Sequence, residues 1–402
     1  MTEANQSIAI ENLTHEEAIA RANALVPKIR ERAPFTEANR MQPKETIQEL
    51  KDAGLIRLLQ PKRWGGHELG PETLFRTGIE IAKADPSAGW CYVLLVLHSW
   101  MLASFPEEAQ KEIWGADPNA TMSSSFTQTP NNTAVKVDGG FIVNGEWGYS
   151  SGIDHCDWAL ILGTVYPKAP EDKHEYYMMA IPKSDFEVLA KWKTVAQRGT
   201  GSNNILLNDV FVPAHRTIDM IPWCQSGDGP GHALNTNKLY RVPLYATLPM
   251  GLTTATLGAS LGAYDLWVDG LRNKNTLRGS KIAEFTHQQI RVAEVAGKLE
   301  AAEALMEKTL RQITDADAIN LYEKMKLRRN YGIIARMCNE AVKTIADNAG
   351  AAMIYETNPL QRYWRDVQVS SMHYTFNMDW LGEMFGKLEL GVLLSEKDLL
   401  MA

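Results

Sequence analysis

Four cysteines in 402 residues (Cys91, Cys156, Cys224 and Cys338) stand far apart and form no Cys-x-x-Cys pair. That excludes a disulfide-built scaffold and a zinc ribbon, and isolated buried thiols are expected instead. The nine histidines include no His-Glu-x-x-His and no clustered ligand pair, so no metal is expected. Lysine and arginine form no patch, and a net charge of −7 argues against nucleic acid, whose phosphates call for a basic face. Long apolar runs are missing too. The longest, Trp90 to Leu97, falls far short of the ~20 residues that span a bilayer. The chain begins polar and acidic with no apolar signal core, so a cytoplasmic protein, off the membrane, is expected. No Gly-x-Gly-x-x-Gly follows a strand: the nearest match, Gly199-x-Gly201, precedes one, and there is no P-loop. The chain therefore shows no legible site for NAD(P)H.

What is present is an ordinary globular composition, 45% hydrophobic and 22% charged, at a length that suits two or three domains. Residues 1–118 read as helices. Thr14 and Glu17 form a capping-box pattern ahead of Ala18, Ala22, Leu25, Val26 and Ile29 at helical spacing. A second helix through Ile47 and Leu50 should stop near Gly54, and Pro71 should open a third. Pro86 to Phe105 is apolar on nearly all sides, which predicts a buried helix. Over residues 119–225 the texture changes to short strand-like runs: 134–137, 141–143, 158–165, 176–181 and 205–212. Asp138-Gly139-Gly140 signals a hairpin, and the set suggests a compact barrel or sandwich. A Gly/Ser/Pro-rich linker (226–231) leads into a last domain, 226–402, helical again beyond Leu244. There Ile290, Val295, Leu299, Ala302, Leu305, Met306 and Leu310 form one stripe, and Ile333, Met337, Ala341, Ile345 and Ala349 another, as in an antiparallel bundle.

Two blocks carry the chemistry. Asn144 through Gly152 reads as a hairpin strand ending in two hydroxyls beside a glycine, and Arg198-Gly199-Thr200-Gly201-Ser202-Asn203 is a glycine-rich turn before a strand. Around them stand Leu59-Gln60-Pro61-x-x-Trp64-Gly65-Gly66, Gly89-Trp90, His98, Ile113-Trp114-Gly115, Ser123-Ser124-Ser125, Trp147 to His155, and Arg362-x-x-Arg365-Asp366. In this order they resemble the oxygenase components of two-component, reduced-flavin-dependent monooxygenases. These are the hydroxylases of 4-hydroxyphenylacetate and of a steroid-derived phenol, with indole and indole-acetate oxygenases in the same group. The resemblance implies the acyl-CoA dehydrogenase fold: N-terminal helices, a central β-barrel holding flavin, and a C-terminal four-helix bundle. Two departures separate the chain from the dehydrogenases of that fold. Ser123-Ser124-Ser125-Phe126 stands where they carry Thr-Glu-Pro, and His373-Tyr374-Thr375-Phe376 where many carry the catalytic glutamate of a Tyr-Glu-Gly motif. Without a carboxylate there, α-proton abstraction from an acyl thioester loses its usual base. Gln368 also departs, standing where the phenol hydroxylases usually have histidine.

In the family this chain resembles, reduced flavin (FADH2 or FMNH2) diffuses from a separate NAD(P)H:flavin reductase. With O2 it forms an electrophilic C4a-hydroperoxide that oxygenates a small aromatic. The match implies Ser151, Ser150 and Ser124 as hydroxyl donors near flavin N5, and Trp90 as a wall against the ring. It also implies His98 as the group that binds and deprotonates the substrate hydroxyl, and His373 as a second pocket histidine, from the last long helix, that stabilises developing negative charge. Taken alone, these residues have ordinary readings: turn hydroxyls capping backbone groups, a core histidine satisfied by one carbonyl, a packed tryptophan. Asp154 and His155 would point to opposite faces of a strand, which makes them structural. An acyl-CoA dehydrogenase or oxidase, an N- or S-oxygenase on the same scaffold, and a helical scaffold without flavin are the competing readings. Phenol and indole both react with an electrophilic peroxide, so the ring is left open. Leu252, Leu257, Leu261, Ala263, Leu266 and Trp267 form a broad apolar face, from which a homotetramer built as a dimer of dimers is expected.

Overall fold

The computed structural model describes residues 12–167, 173–276 and 278–395. The first helix, α1 (His15–Asn39), starts at the expected capping box: Thr14 accepts from the Glu17 N–H, and the Glu17 carboxylate accepts from the Thr14 N–H at 2.8 Å. Next come α2 (Lys44–Asp52), α3 (Pro71–Ala84), α4 (Pro86–Leu102) and α5 (Glu107–Trp114). Gly54, at φ +73°, turns the chain after α2, and Pro71 is the first residue of α3. In α4, Leu94 alone among 17 residues is not buried, because α3, α7 (Leu244–Asn273) and β1 (Met122–Ser125) enclose the other faces.

The other strands are β2 (Thr133–Val137), β3 (Gly140–Ser150), β4 (Trp158–Val165), β5 (Glu175–Pro182), β6 (Glu187–Leu189), β7 (Asn203–Pro213) and β8 (Thr217–Asp219). They form two four-stranded sheets, ordered β1-β4-β5-β8 and β2-β3-β7-β6. Among the described residues only the β1–β4 pair is parallel. Side chains from both sheets share one core, with Val143, Trp147 and Ile205 from one and Ile161, Met179 and Ile181 from the other. Trp147 Nε1 donates to the Leu162 carbonyl at 2.9 Å, a bond from one sheet to the other.

The remaining helices are α6 (Met220–Ser226), α8 (Thr286–Asp315), α9 (Leu321–Ala349), α10 (Pro359–Ser370) and α11 (Met378–Glu389). Three details differ from the sequence pattern. Ile290 is half exposed (50%), so the α8 stripe starts at Val295. In α9 the buried stripe runs through Ile334, Cys338, Ala341 and Ile345, with Ile333 and Met337 at its edge. Leu252, Leu257, Ala263 and Trp267 are buried within the single chain, against α3, α4, α8, α9 and α10. That face gives no reason for assembly. Among the described residues no helix is long and apolar enough to cross a membrane, and no three His, Cys, Asp or Glu side chains gather as metal ligands.

One of the tightest helix contacts is at Gly89, where an added Cβ would meet Ala82 Cβ at 2.4 Å and Ala82 Cα, a backbone atom, at 2.5 Å. Alanine would gain about 1 kcal/mol in helix propensity. Overpacking of α3 on α4 costs about 1–3 kcal/mol. We therefore expect Gly89→Ala to lose stability in denaturant unfolding. A stabilised variant would contradict so close an approach.

Candidate active site

A cavity of about 530 Å3, within the usual range for small-molecule sites, opens where the β domain meets the helices. Leu94 of α4, Ser124 of β1, Leu248 and Leu252 of α7, and Val369 and Ser370 of α10 line it. So do the end of β3, the turn before β7 and the α10–α11 connection.

The end of β3 is aimed by a bulge. The pairing with β7 shifts between Trp147 and Ser150, and Tyr149 takes φ +62°. The two serines then part. Ser150 is fully buried, bonds Ser123 Oγ at 2.7 Å and does not reach the cavity, whereas Ser151 does. Trp90, also on the wall, donates its Nε1–H to Ser151 Oγ at 3.2 Å. From Ser151 a row of hydroxyls runs to Ser202 (2.8 Å), Thr200 (2.6 Å) and the Gln197 carbonyl (2.8 Å). This turn needs glycine at Gly201, where φ is +52° and a Cβ would meet Asp154 Oδ2 at 2.9 Å.

His98 is not on the wall. It lies one layer behind, 1% exposed, with Nδ1 2.8 Å from the Met122 carbonyl and Nε2 2.8 Å from Ser124 Oγ. A carbonyl only accepts, so Nδ1 carries the proton and Nε2 accepts from Ser124. Burial lowers its pKa from 6.5 to about 4, keeping the ring neutral. The sequence led us to expect His98 at the ligand itself; in the structure Ser124 stands between its ring and the cavity.

His373 lines the cavity, but from the α10–α11 connection rather than from a long helix. Its Nδ1 accepts from the Thr375 N–H (3.3 Å) and lies 2.8 Å from Thr375 Oγ1, which leaves the proton on Nε2. Burial lowers this pKa to about 4 as well. Its ring centroid is 5.8 Å from that of Trp90. Asp154 and His155 sit on a turn, not a strand, and bind apart: Asp154 accepts from Asn203 and His155 meets the Gln42 carbonyl. Gln368 bonds Asn339 and is not part of the cavity wall. Sequence reading assigned no role to Trp192, Gln197, Thr200 or Ser202, all on the wall. The alternation of hydroxyl, glycine and hydroxyl in Thr200-Gly201-Ser202, just before a strand, was the signal available.

Residues 14–117 match the acyl-CoA dehydrogenase N-terminal domain, and residues 250–378 the acyl-CoA dehydrogenase C-terminal domain. The chain is 31% identical over 383 residues to the flavin-dependent monooxygenase, oxygenase subunit HsaA, of Rhodococcus jostii (strain RHA1), covering 94% of this chain and 99% of that one. It is also 31% identical over 396 residues to the FADH2-dependent resorcinol hydroxylase, oxygenase component, of Rhizobium sp. (strain MTP-10005), covering 94% and 95%. Among solved structures, the 3-HSA hydroxylase from Rhodococcus sp. RHA1 matches with a TM-score of 0.88 at 29% identity, covering 96% of this chain and 100% of that one. XiaF from Streptomyces sp., in complex with FADH2 and glycerol, matches with a TM-score of 0.86 at 26% identity, covering 94% and 96%.

The buried neutral histidine has a pH consequence. Between pH 6.5 and about 4 the unfolded chain binds a proton at His98 that the folded chain does not. The stability His98 contributes is complete above pH 6.5 and is lost as pH falls towards 4. His67 (lowered to about 4), Asp85 (raised to about 6) and Asp366 (raised to about 7) titrate alike in wild type and His98→Asn. From pH 7 to 4.5 the unfolding free energy should therefore drop by roughly 2 kcal/mol more in wild type than in the variant. Parallel curves would contradict a neutral, buried His98.

Proposed function

The chain belongs to the flavin-dependent monooxygenases, as an oxygenase component on the acyl-CoA dehydrogenase fold, and we propose that it hydroxylates a small phenol bound at Ser124. Such a component takes reduced flavin, FADH2 or FMNH2, from a separate reductase, and the bound flavin with O2 supplies the oxygen atom. The wall fits a flat ring with one polar edge. Trp90 offers an indole face, Ser151, Ser202 and Thr200 offer hydroxyls, and Leu94, Phe126, Leu248 and Leu252 exclude water. In this reading Trp90 and Ser151 hold the flavin and Ser124 holds the substrate. His98 acts through Ser124, and His373 presents an N–H to developing negative charge. Ser150, sealed inside the β domain, supports the strand rather than the cofactor.

The observation that carries the phenol reading is the Ser124–His98 pair. A phenol hydroxyl donates to Ser124 Oγ, whose own proton already points at His98 Nε2. Full transfer at the start is unfavourable: a phenol of pKa about 10 against an imidazole at about 4 differs by roughly 8 kcal/mol. As the ring carbon gains its new bond to oxygen, the hydroxyl becomes strongly acidic, and the proton moves through Ser124 to His98 with the reaction. The relative named for resorcinol supports a phenolic substrate.

The test supplies photoreduced FAD or FMN and O2, with a panel of phenols, aryl-acetates and indole, and counts product against H2O2. Ser124→Ala and His98→Asn should lower phenol hydroxylation by about 100-fold or more and divert oxygen to H2O2, with flavin binding nearly intact. Activity should recover partly near pH 10, where solvent ionises the phenol. Undiminished coupling in both variants would overturn the role of the pair. Indole turnover that resists both, with no phenol product, would instead assign the site to an indolic ring.

A homotetramer, a dimer of dimers, is the second part of the reading. Its support is apolar side chains left in solvent away from the cavity, Ile354 (75% exposed) beside Tyr355 (67%), and Leu390 (80%) near Leu393 (93%). Light scattering at micromolar concentration should give four chain masses, and a stable monomer would contradict it.

A further inference from the structure

The hydroxyl row beside the cavity has a fixed direction. The Gln197 carbonyl has no proton to give, so the Thr200 hydroxyl donates to it, at 2.8 Å. With its one proton spent, Thr200 accepts from Ser202 at 2.6 Å, and Ser202 in turn accepts from Ser151 at 2.8 Å. The far end is fixed too, since the Trp90 Nε1–H can only donate into Ser151 Oγ. Ser151 thus has its proton committed and one lone pair taken, and what it presents to the cavity is the remaining lone pair. The sequence suggested a hydroxyl donor at this position, but the geometry makes it an acceptor.

That terminal carbonyl is held firmly. It also accepts from Trp192 Nε1 (2.8 Å) and from the Thr200 N–H (3.2 Å). Gln197 itself, at φ +50°, is tied by its N–H to Asp366 Oδ1 at 2.6 Å.

We propose that Thr200 and Ser202 are positioning residues that hold Ser151 as an acceptor and thereby select flavin in its reduced state. The inference rests on the reading above that Ser151 faces flavin N5. Reduced flavin carries a hydrogen on N5, which a lone pair receives. Oxidised flavin has an unprotonated N5, itself an acceptor. To meet it, the Ser151 proton must turn away from Ser202, at the loss of one buried hydrogen bond, a factor of about five in binding. Spent flavin is thereby released in favour of fresh reduced flavin.

The experiment is an anaerobic titration of the full chain with oxidised and with dithionite-reduced FMN and FAD, taking the ratio of the two dissociation constants. Thr200→Val removes the hydroxyl at constant shape and lets Ser202 turn its proton towards Ser151, which frees the Ser151 proton for the cavity. The preference for reduced flavin should fall about fivefold, chiefly through tighter oxidised flavin. Thr200→Ser should restore it. Ser202→Ala reaches the same result by removing the acceptor of the Ser151 proton, and it serves if the valine variant does not fold. An unchanged ratio, including one in which both forms weaken equally, overturns the inference. Ser151→Ala separates this from the underlying reading: if it changes the binding of neither flavin form, Ser151 does not face the cofactor and the site assignment itself fails.

Discussion

A 2.6 Å hydrogen bond from the Gln197 backbone N–H to the Asp366 carboxylate joins the helical bundle to the β domain, and the order of the cavity wall depends on it. Asp366 is 2% exposed, and burial raises its pKa to about 7 while the Gln197 N–H pulls the other way. Around it stand Asp85 at the start of α4, Glu37 of α1, and Arg362 and Arg365 of α10. Arg362 lies 3.5 Å from Glu37 and 3.8 Å from Asp85, and Arg365 also pairs with Glu37. Buried ion pairs add little net stability against the desolvation they suffer, while removing one partner alone is strongly destabilising. This cluster holds three helices and one turn in a single register. The turn it holds carries Gln197, Thr200 and Ser202, and through them Ser151.

The same dryness sets the chemistry. Burial lowers the pKa of both His98, sealed behind Ser124, and His373, on the cavity wall, to about 4, so neither is a cation at neutral pH. For His98 this leaves Nε2 an acceptor from Ser124, and in the proposed reading it takes a proton through Ser124 once the substrate oxygen becomes acidic. For His373 it leaves a neutral N–H donor. Neither role needs a carboxylate. Among the described residues, none that lines the cavity is an aspartate or glutamate, which fits oxygen transfer rather than α-proton abstraction.

Much of the fold could be read from the sequence because local chemistry and tertiary packing agree there. The Thr14–Glu17 box, Pro71 at the start of α3, the turn at Gly139 and the all-round apolar α4 needed no long-range information. Family likeness singled out Trp90, Ser124, Ser151, His98 and His373 as candidates, but not their layering. That His98 sits behind Ser124 depends on the contact between α4 and β1, residues 26 apart in sequence. The different fates of Ser150 and Ser151 depend on a bulge at Tyr149 that no residue type announces. The α7 face looked unpartnered because a linear pattern shows apolar area but not the helices that fold back to cover it.

The most direct test of the account is isotopic. The chain would be given reduced flavin and a phenol under heavy-oxygen dioxygen in ordinary water, with product and flavin followed together. One heavy oxygen atom per product molecule, on the ring of a phenol, is the predicted result. Product oxygen drawn from water, or no ring product while an acyl-CoA thioester bleaches bound oxidised flavin, would contradict it and return the chain to dehydrogenase chemistry.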